Sequence, residues 1–177
     1  MTIIDIMVFA VILLTGVGFF LMALAAFSFA PWAPTRKKDV SRVLKLANIR
    51  SGQTFYDLGC GTGTVVLEAA RNYNLTVIGV ELSFPIYFIC KIRSFFGKFK
   101  GNLTLKRKNM FKEDLGKADI VYVFGMPNSL EKKLLPKLEA ELKPGAKVIS
   151  YVFEIKGWKP FIVDWPSSKN PIYLYKR

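Results

Sequence analysis

The chain has 177 residues, which is long enough for one domain with its own core. Hydrophobic residues make up 51% of it, yet 26 Lys and Arg outnumber 13 Asp and Glu, so the formal net charge is +13. The lack of histidine excludes Ser/His and Cys/His catalytic dyads and argues against a zinc or non-haem iron site, so no metal is expected. The two cysteines fit a reducing compartment.

The first predicted element is an uncharged segment from Ile6 to Ala30. As an α-helix it would span about 37 Å, enough to cross the hydrocarbon core of a bilayer. We predict a single-pass transmembrane helix, with a cleaved signal peptide or a buried core helix as alternatives. Signal peptides begin with basic residues, whereas the only charge before this segment is Asp5. The basic residues 36–38 then predict, by the positive-inside rule, that the rest of the chain lies on the cytoplasmic or matrix-equivalent side.

These charges divide the chain into two parts. Residues 1–35 form the predicted anchor and a Pro-containing link, and residues 36–177 form the predicted catalytic domain. Because Asp5 is the only charged residue before position 36, removing that part raises the net charge from +13 to +14. The sequence therefore predicts a strongly basic domain beside a membrane.

Helical and extended patterns alternate after the link. The predicted elements, in chain order, are helix 39–49, strand 54–58, helix 63–73, strand 76–81, helix 84–97, strands 102–108 and 119–125, helix 129–142, and strands 146–153, 161–165 and 172–176. Strand, helix and strand in about 30 residues form a βαβ unit with parallel strands. The last two strands predict an antiparallel hairpin, because the link before them is too short for a crossover helix. The predicted fold class is α/β, a Rossmann-like, doubly wound and mostly parallel sheet.

The stretch "DLGCGTGT" at 57–64 places three glycines directly after the first strand. In a doubly wound sheet, ligands bind at this turn, outside the carboxyl ends of the strands. Glycine lacks a Cβ, so the backbone can approach a ligand closely, and we expect free N–H groups at the start of the next helix. The pattern predicts a ligand that carries a carboxylate, a phosphate or a ribose.

Glu81 ends the next strand, 22 residues after Gly59, where a carboxylate can accept hydrogen bonds from ribose hydroxyls. A nicotinamide-binding turn would have its third glycine at Thr64, and a phosphate-binding P-loop would have a Lys-Ser/Thr pair. Neither is present. A dinucleotide site and a turn that serves only chain reversal remain as alternatives.

An acidic residue, three alternating glycines and a carboxylate closing the second strand resemble class I, seven-strand methyltransferases that use S-adenosylmethionine. The resemblance covers residues 52–153. It implies that the glycines line the methionine and ribose portions, that Asp57 organises the amino end and that Glu81 holds the ribose. It also implies an adenine contact just after the third strand, where relatives usually carry Asp and this chain has Asn109. The predicted cofactor-binding residues are Thr35, Asp57, Gly59, Cys60, Gly61, Gly63, Glu81, Leu82, Asn109 and Met110.

The segment after the fourth strand borders the methyl donor in this fold. It lacks the Asn/Asp-Pro-Pro-aromatic signature associated with methylation of planar nitrogens. The stretches "PWAPT", "DLGCGTGT", "FGMP" and "GWKP" resemble the membrane-anchored protein-lysine methyltransferases of the mitochondrial adenine nucleotide carrier and the ATP synthase c-subunit, over roughly residues 31–160. This resemblance implies a lysine acceptor on a membrane-associated protein. The predicted catalytic residues line and cover a channel for the acceptor lysine. Trp158 is the predicted cover, and the predicted channel wall consists of Phe124, Gly125, Met126 and Pro127.

Two other functions remain open at this point. One is methylation of a lipid or a hydrophobic small-molecule amine, and the other is a nonenzymatic membrane or nucleic-acid adaptor. The stretch 84–112 bears on them, because it holds eight Lys and Arg, no Asp or Glu, and seven aromatic residues. Its helical spacing predicts a core face, while a membrane-surface role and nucleic-acid binding are the alternatives. The residues of the predicted core face are Phe88, Ile89, Ile92, Phe95, Phe96 and Phe99.

Overall fold

The computed structural model describes residues 2–28, 34–167 and 169–177. Its elements, in chain order, are α1 (Ile3–Ser28), α2 (Lys37–Leu46), β1 (Thr54–Leu58), α3 (Val66–Asn72), β2 (Thr76–Glu81), α4 (Phe84–Phe95), β3 (Asn102–Arg107), a 3-10 turn (Met110–Lys112), β4 (Ile120–Val123), α5 (Pro127–Ser129), a π-helical turn (Leu130–Leu134), α6 (Leu135–Glu141), β5 (Lys147–Tyr151), β6 (Ile162–Asp164) and β7 (Ile172–Lys176).

These strands form one seven-stranded sheet in the order β3-β2-β1-β4-β5-β7-β6. Strands β1 to β5 pair in parallel, and β7 runs antiparallel to both β5 and β6. The predicted doubly wound sheet with an antiparallel C-terminal hairpin is confirmed. The chain order reverses between β1 and β4, so the crevice outside their carboxyl ends is the expected ligand site.

Helices cover both faces of the sheet, so the central strands are buried on each side. On one face, α2, α3 and α4 pack on a core that includes Val43, Phe55 and Cys90. On the other face, the helical segment from Pro127 to Glu141 packs on a core that includes Leu138 and Val148. The side chains of β1 alternate between these two cores, as the two-residue period of a strand requires.

The helical segment on the second face starts at Pro127, two residues earlier than predicted. Proline fits the first turn of a helix, where a backbone N–H would have no partner within the helix. A second proline, Pro136, lies inside the segment, where its ring crowds the carbonyl of Lys132. The helix accommodates this by widening into the π turn Leu130–Leu134 just before it.

Helix α1 coincides with most of the predicted membrane anchor. Its segment Ile3–Phe20 has a mean hydropathy of 2.5, and none of it is buried against the rest of the chain. By length and composition this helix can cross a membrane. It lies beside α4. The predicted end of the anchor and the prolyl link at 29–33 lie outside the described residues.

The prediction that the apolar stripe of α4 packs in the core is wrong. The structure exposes it, and α4 packs on the sheet through Ile86 and Cys90 instead. Only Phe99, beyond the end of the helix, packs against the core as predicted. Helical spacing identifies an apolar stripe but does not show whether that stripe faces the sheet. The residues exposed against prediction are Phe88, Ile89, Ile92, Phe95 and Phe96.

Candidate active site

The turn between β1 and α3 adopts a backbone that glycine tolerates and other residues rarely do. The φ angles of Gly59, Gly61 and Gly63 are 81°, 56° and 90°. A Cβ at Gly63 would lie 2.7 Å from the Sγ of Cys90, so α4 also requires glycine there. A Cβ at Gly59 would meet nothing within 4 Å in the described structure. The turn therefore borders open space, where a ligand can approach the backbone.

Several backbone amides of this turn are already engaged within the chain. The amides of Gly59 and Cys60 donate to the carbonyl of Val80, at 2.8 and 3.0 Å, and the amide of Gly63 donates to the carbonyl of Cys60. At the start of α3, the amide of Val66 donates to Asp57. The expectation of free N–H groups is therefore wrong for Val66. These hydrogen bonds hold the turn in shape.

Glu81 is buried at the carboxyl end of β2 and ties the turn to α4. Its Oε2 accepts from the amide of Gly61 at 3.0 Å, and its Oε1 accepts from the amide of Ser83 at 2.8 Å. Burial raises the pKa of Glu81, and these backbone hydrogen bonds oppose the rise. Each carboxylate oxygen has a second lone pair, so two ribose hydroxyls can still donate to it.

Ser83 adds a polar atom that the sequence did not single out. Its hydroxyl is buried, and in the described residues it has no hydrogen-bond partner. An unpartnered buried hydroxyl is uncommon in native proteins. Its place two residues after Glu81 fits a site completed by a polar ligand.

Asp57 lies opposite Tyr122 on the neighbouring strand β4. Its Oδ2 accepts from the amide of Val66 at 3.0 Å. The pKa of Asp57 is raised to about 8, mainly by burial and in smaller part by the charge of Glu81, while the hydrogen bond from Val66 opposes the rise. Asp57 is therefore mostly protonated at neutral pH while the site holds no cation.

Thr35 lies at the same end of the site. Its Oγ1 and the hydroxyl of Tyr122 are 2.6 Å apart, and both residues are buried. The structure thus brings the segment before α2 to the strand beside Asp57, where the methionine end of the cofactor is predicted. The sequence reasoning missed Tyr122, although a lone phenol in an otherwise apolar buried strand was a usable signal.

The predicted adenine contacts lie next to Glu81 at the end of β3. The amide of Lys108 donates to the carbonyl of Glu81 at 3.0 Å, which brings Asn109 beside it. The Oδ1 of Asn109 accepts from the amide of Phe111 at 2.9 Å and so caps the 3-10 turn. Met110 is buried in the core, whereas Leu82 is 40% exposed. Leu82 therefore has free apolar surface beside Glu81.

The predicted channel wall follows β4 and changes from buried to exposed within three residues. Gly125 is buried, Met126 is 43% exposed, and Pro127 begins α5. The ring of Phe124 packs edge-on to that of Tyr151 and stacks with that of Phe153, with centroids 5.0 and 6.2 Å away. Three aromatic rings therefore line the carboxyl ends of β4 and β5.

An unusual backbone angle between Tyr151 and Phe153 accompanies this arrangement. Val152 has φ of 71°, a left-handed conformation that is strained for a β-branched residue. The hydroxyl of Ser150 donates to the carbonyl of Phe153 at 2.6 Å and closes the turn. Strain of this kind concentrates at functional sites, and here it sets both rings against Phe124.

The hydroxyl of Tyr151 is fixed by α2. It donates to the Oδ2 of Asp39 at 2.8 Å and accepts from the side-chain amide of Asn170 at 2.8 Å. The other oxygen of Asp39 pairs with Arg42 at 2.9 Å, and Arg42 also pairs with Asp164. Burial raises the pKa of Asp39, but the hydrogen bonds from Tyr151 and Arg42 outweigh it, so the pKa is lowered. The helix that follows the predicted anchor is thereby joined to the aromatic rings of the site.

Trp158 and Phe124 pack against different cores, on opposite faces of the sheet. The ring of Trp158 packs on Tyr175, with centroids 5.3 Å apart, and belongs to the core on the α5–α6 face. Phe124 packs against the opposite core. The predicted cover role of Trp158 stays a prediction. Among the described residues there is no group of three or more His, Cys, Asp or Glu that could hold a metal ion.

Comparison with known proteins identifies the family. A family model described as the ANTKMT methyltransferase domain matches residues 57–162. The chain is 34% identical over 154 residues to a protein-lysine N-methyltransferase of Saccharolobus islandicus (strain REY15A), covering 82% of this chain and 92% of that protein. It is 31% identical over 133 residues to the adenine nucleotide translocase lysine N-methyltransferase of Mus musculus, covering 75% of this chain and 57% of the mouse protein.

A solved structure agrees with the fold. The RNA methyltransferase from Salinibacter ruber in complex with S-adenosyl-L-homocysteine superposes with a TM-score of 0.75 at 26% identity, covering 81% of this chain and 93% of that one. The ANTKMT domain match lies on the segment that carries the glycine turn, Glu81 and the channel wall. The chain therefore belongs to the family of the ANTKMT methyltransferase domain, and it is an S-adenosylmethionine-dependent methyltransferase.

Proposed function

We propose that this chain transfers a methyl group to the ε-amine of a lysine side chain on a membrane-associated protein. The observation that carries the proposal is the 34% identity to a protein-lysine N-methyltransferase, which extends over 82% of the chain and includes the acceptor loop. The mouse relatives are named for lysines of the adenine nucleotide translocase and of the ATP synthase c-subunit. This chain spans little more than half the length of each mouse protein. We therefore take from them only the class of substrate, a lysine of a membrane protein, and not the particular protein.

The residues of the site fit S-adenosylmethionine. Glu81 offers two carboxylate oxygens for a ribose, the buried Asp57 suits a positively charged amino end, and Gly59 leaves room for close approach. The unpartnered hydroxyl of Ser83 offers one further polar contact. When bound, the cofactor supplies a methyl group already activated by a sulfonium. The chain must therefore bind the cofactor, orient the acceptor and exclude water. It needs no metal to activate the methyl group.

The acceptor side of the site is built to hold a neutral amine. Residues 124–127 carry no ionisable side chain, and the rings of Tyr151 and Phe153 flank Phe124. An apolar wall disfavours the charged ammonium, so it lowers the lysine pKa, and the ammonium gives its proton to solvent water before transfer. Backbone carbonyls and aromatic faces can orient the amine near the methyl group, which gives the rate advantage of proximity. We assign these roles to Phe124, Gly125, Met126 and Pro127.

The membrane part of the proposal rests on α1. It is apolar, exposed and long enough to span a bilayer, and the basic residues 36–38 follow it. The positive-inside rule then puts the catalytic domain on the cytoplasmic or matrix-equivalent side. The hydrogen bond between Thr35 and Tyr122, and the one that Tyr151 donates to Asp39, support a domain held close to this anchor.

Cofactor affinity is expected to depend on pH through Asp57. Its pKa of about 8 means that the free site holds a proton below that pH. A bound cation favours the carboxylate, so binding releases this proton, and affinity rises with pH by up to about tenfold per unit between about pH 6 and pH 7.5. Calorimetric titration in two buffers of different ionisation heat measures both the affinity and the proton release. Asp57→Asn is expected to remove the dependence, and an affinity that does not change with pH in the unaltered chain would contradict it.

The proposed acceptor is tested by following the methyl label. The purified full chain is incubated with methyl-labelled S-adenosylmethionine and a membrane fraction, which is then separated into protein, lipid and nucleic acid. We expect the label in protein, and we expect it to fall strongly when Glu81→Ala replaces the unaltered chain at limiting cofactor. Label only in the lipid phase would assign a lipid amine as acceptor and overturn the proposal, as would label only in nucleic acid.

A further inference from the structure

The face of α4 that points away from the sheet is apolar. Six of its side chains are between 45% and 83% exposed, whereas Ile86 and Cys90, on the opposite side of the helix, are buried. At about 100° per residue, the six positions fall within an arc of about 140°. We call this surface the α4 face, and it consists of Phe84, Phe88, Ile89, Ile92, Phe95 and Phe96.

Positive charge accompanies the α4 face. Lys91 on the helix and Lys98 and Lys100 just beyond it are exposed, and the guanidinium carbon of Arg107 lies 5.7 Å from the centre of the Phe84 ring. The whole stretch 84–112 contains no Asp or Glu. An apolar helix face bordered by lysine and arginine is the chemistry of helices that lie in a membrane interface, with cations at anionic headgroups.

The position of α1 supports a bilayer as the surface that the α4 face meets. The apolar helix α1 lies beside α4, so a bilayer crossed by α1 would lie close to α4. Charge also argues against a second copy of this chain as the occupant. Residues 36–177 carry a net charge of +14, and like charges brought together at an interface are repulsive.

We propose that the α4 face lies in the headgroup region of an anionic bilayer, the same bilayer that α1 spans. This inference rests on the membrane anchor of the proposed function and adds a second contact to it. Helix α4 begins three residues after Glu81, so docking of its face brings the carboxyl edge of the sheet to the lipid surface. The domain would then be held in one orientation, with its active site at the level of lysines near the membrane plane.

The test is a depth measurement on the full chain in vesicles of phosphatidylcholine and phosphatidylglycerol. A nitroxide label is attached at Phe95→Cys, and a matched label at Glu131→Cys on the opposite layer of the fold. Both positions are exposed, while the two native cysteines are buried. We expect the label at 95 to be relaxed by oxygen and shielded from a water-soluble nickel chelate, and the label at 131 to show the reverse. In vesicles of phosphatidylcholine alone, we expect the shielding at 95 to weaken.

Several results would overturn the inference. A label at 95 that the nickel chelate reaches in anionic vesicles contradicts it. Broadening of the nitroxide spectrum that disappears on dilution with unlabelled chain also contradicts it, because such broadening indicates self-association. Shielding at 95 that requires added RNA would assign the face to nucleic acid. Carbonate extraction distinguishes a wrong assignment of the α4 face from a wrong assignment of the α1 anchor. A chain that carbonate extracts from the vesicles has no membrane-spanning helix. Phe96→Cys, at an equally exposed position, provides a second site should the first variant fold poorly.

Discussion

Replacing Glu81 by Ala is expected to weaken binding of S-adenosylmethionine by about 1 to 3 kcal/mol, or roughly 5- to 150-fold. The carboxylate is the proposed acceptor for the ribose hydroxyls, and it also accepts from the amides of Gly61 and Ser83. Its removal takes away the ligand contact and leaves two donors of the turn without their partner. Isothermal titration calorimetry on the full chain in detergent measures the change.

Two further variants separate ligand binding from general damage. Glu81→Gln keeps one acceptor oxygen, so we expect it to lose less affinity than the alanine variant. Glu68→Ala removes a partly exposed glutamate of α3, whose partners among the described residues are Arg71 and Asn72, and we expect no change in affinity. A Glu81→Ala chain that is folded and binds the cofactor as tightly as the unaltered chain would remove Glu81 from the ribose site.

Asp39→Ala is expected to have the largest effect on stability, lowering the free energy of unfolding by about 3 to 5 kcal/mol. Asp39 is fully buried and accepts hydrogen bonds from Arg42 and Tyr151. Without it, the mostly buried guanidinium of Arg42 keeps only its partner Asp164 and the carbonyls beside it, and the Tyr151 hydroxyl loses its acceptor. Denaturant unfolding of the full chain in detergent gives the difference.

The control for this prediction is Asp114→Ala. Asp114 is exposed and accepts one hydrogen bond from the amide of Gly116, so its loss is expected to cost less than about 1 kcal/mol. Asp39→Asn keeps one acceptor oxygen and is expected to lie between the two. Equal stability of the Asp39→Ala and Asp114→Ala chains would show that α2 is not tied to the site through this network.

Much of the fold was predictable because its signals are local. Strand periodicity, the glycine turn and the carboxylate at the end of β2 lie within 30 residues of one another, and the structure brings Glu81 onto Gly61. The failures have physical causes. The apolar stripe of α4 was assigned to the core because spacing does not reveal which way a stripe faces. The amides at the start of α3 were expected to be free, but that of Val66 donates to Asp57.

The network around Tyr151 was missed for a different reason. Asp39 and Tyr151 are 112 residues apart in sequence, and Asn170 joins them from a third segment. In the sequence, Asp39 is an ordinary acidic residue in the first turn of a helix, and Tyr151 is an aromatic residue ending a strand. Only the folded sheet, which puts α2 against the end of β5, gives them a common role.

Identification of the methylated residue tests the central claim most directly. Protein labelled by the full chain in a membrane fraction is hydrolysed to amino acids, and the labelled products are separated against methylated lysine, arginine and histidine. We predict that the label runs with methylated lysine and falls strongly with Glu81→Ala at limiting cofactor. Label in any other amino acid, or none in protein while the folded chain binds S-adenosylmethionine, would contradict the proposed function.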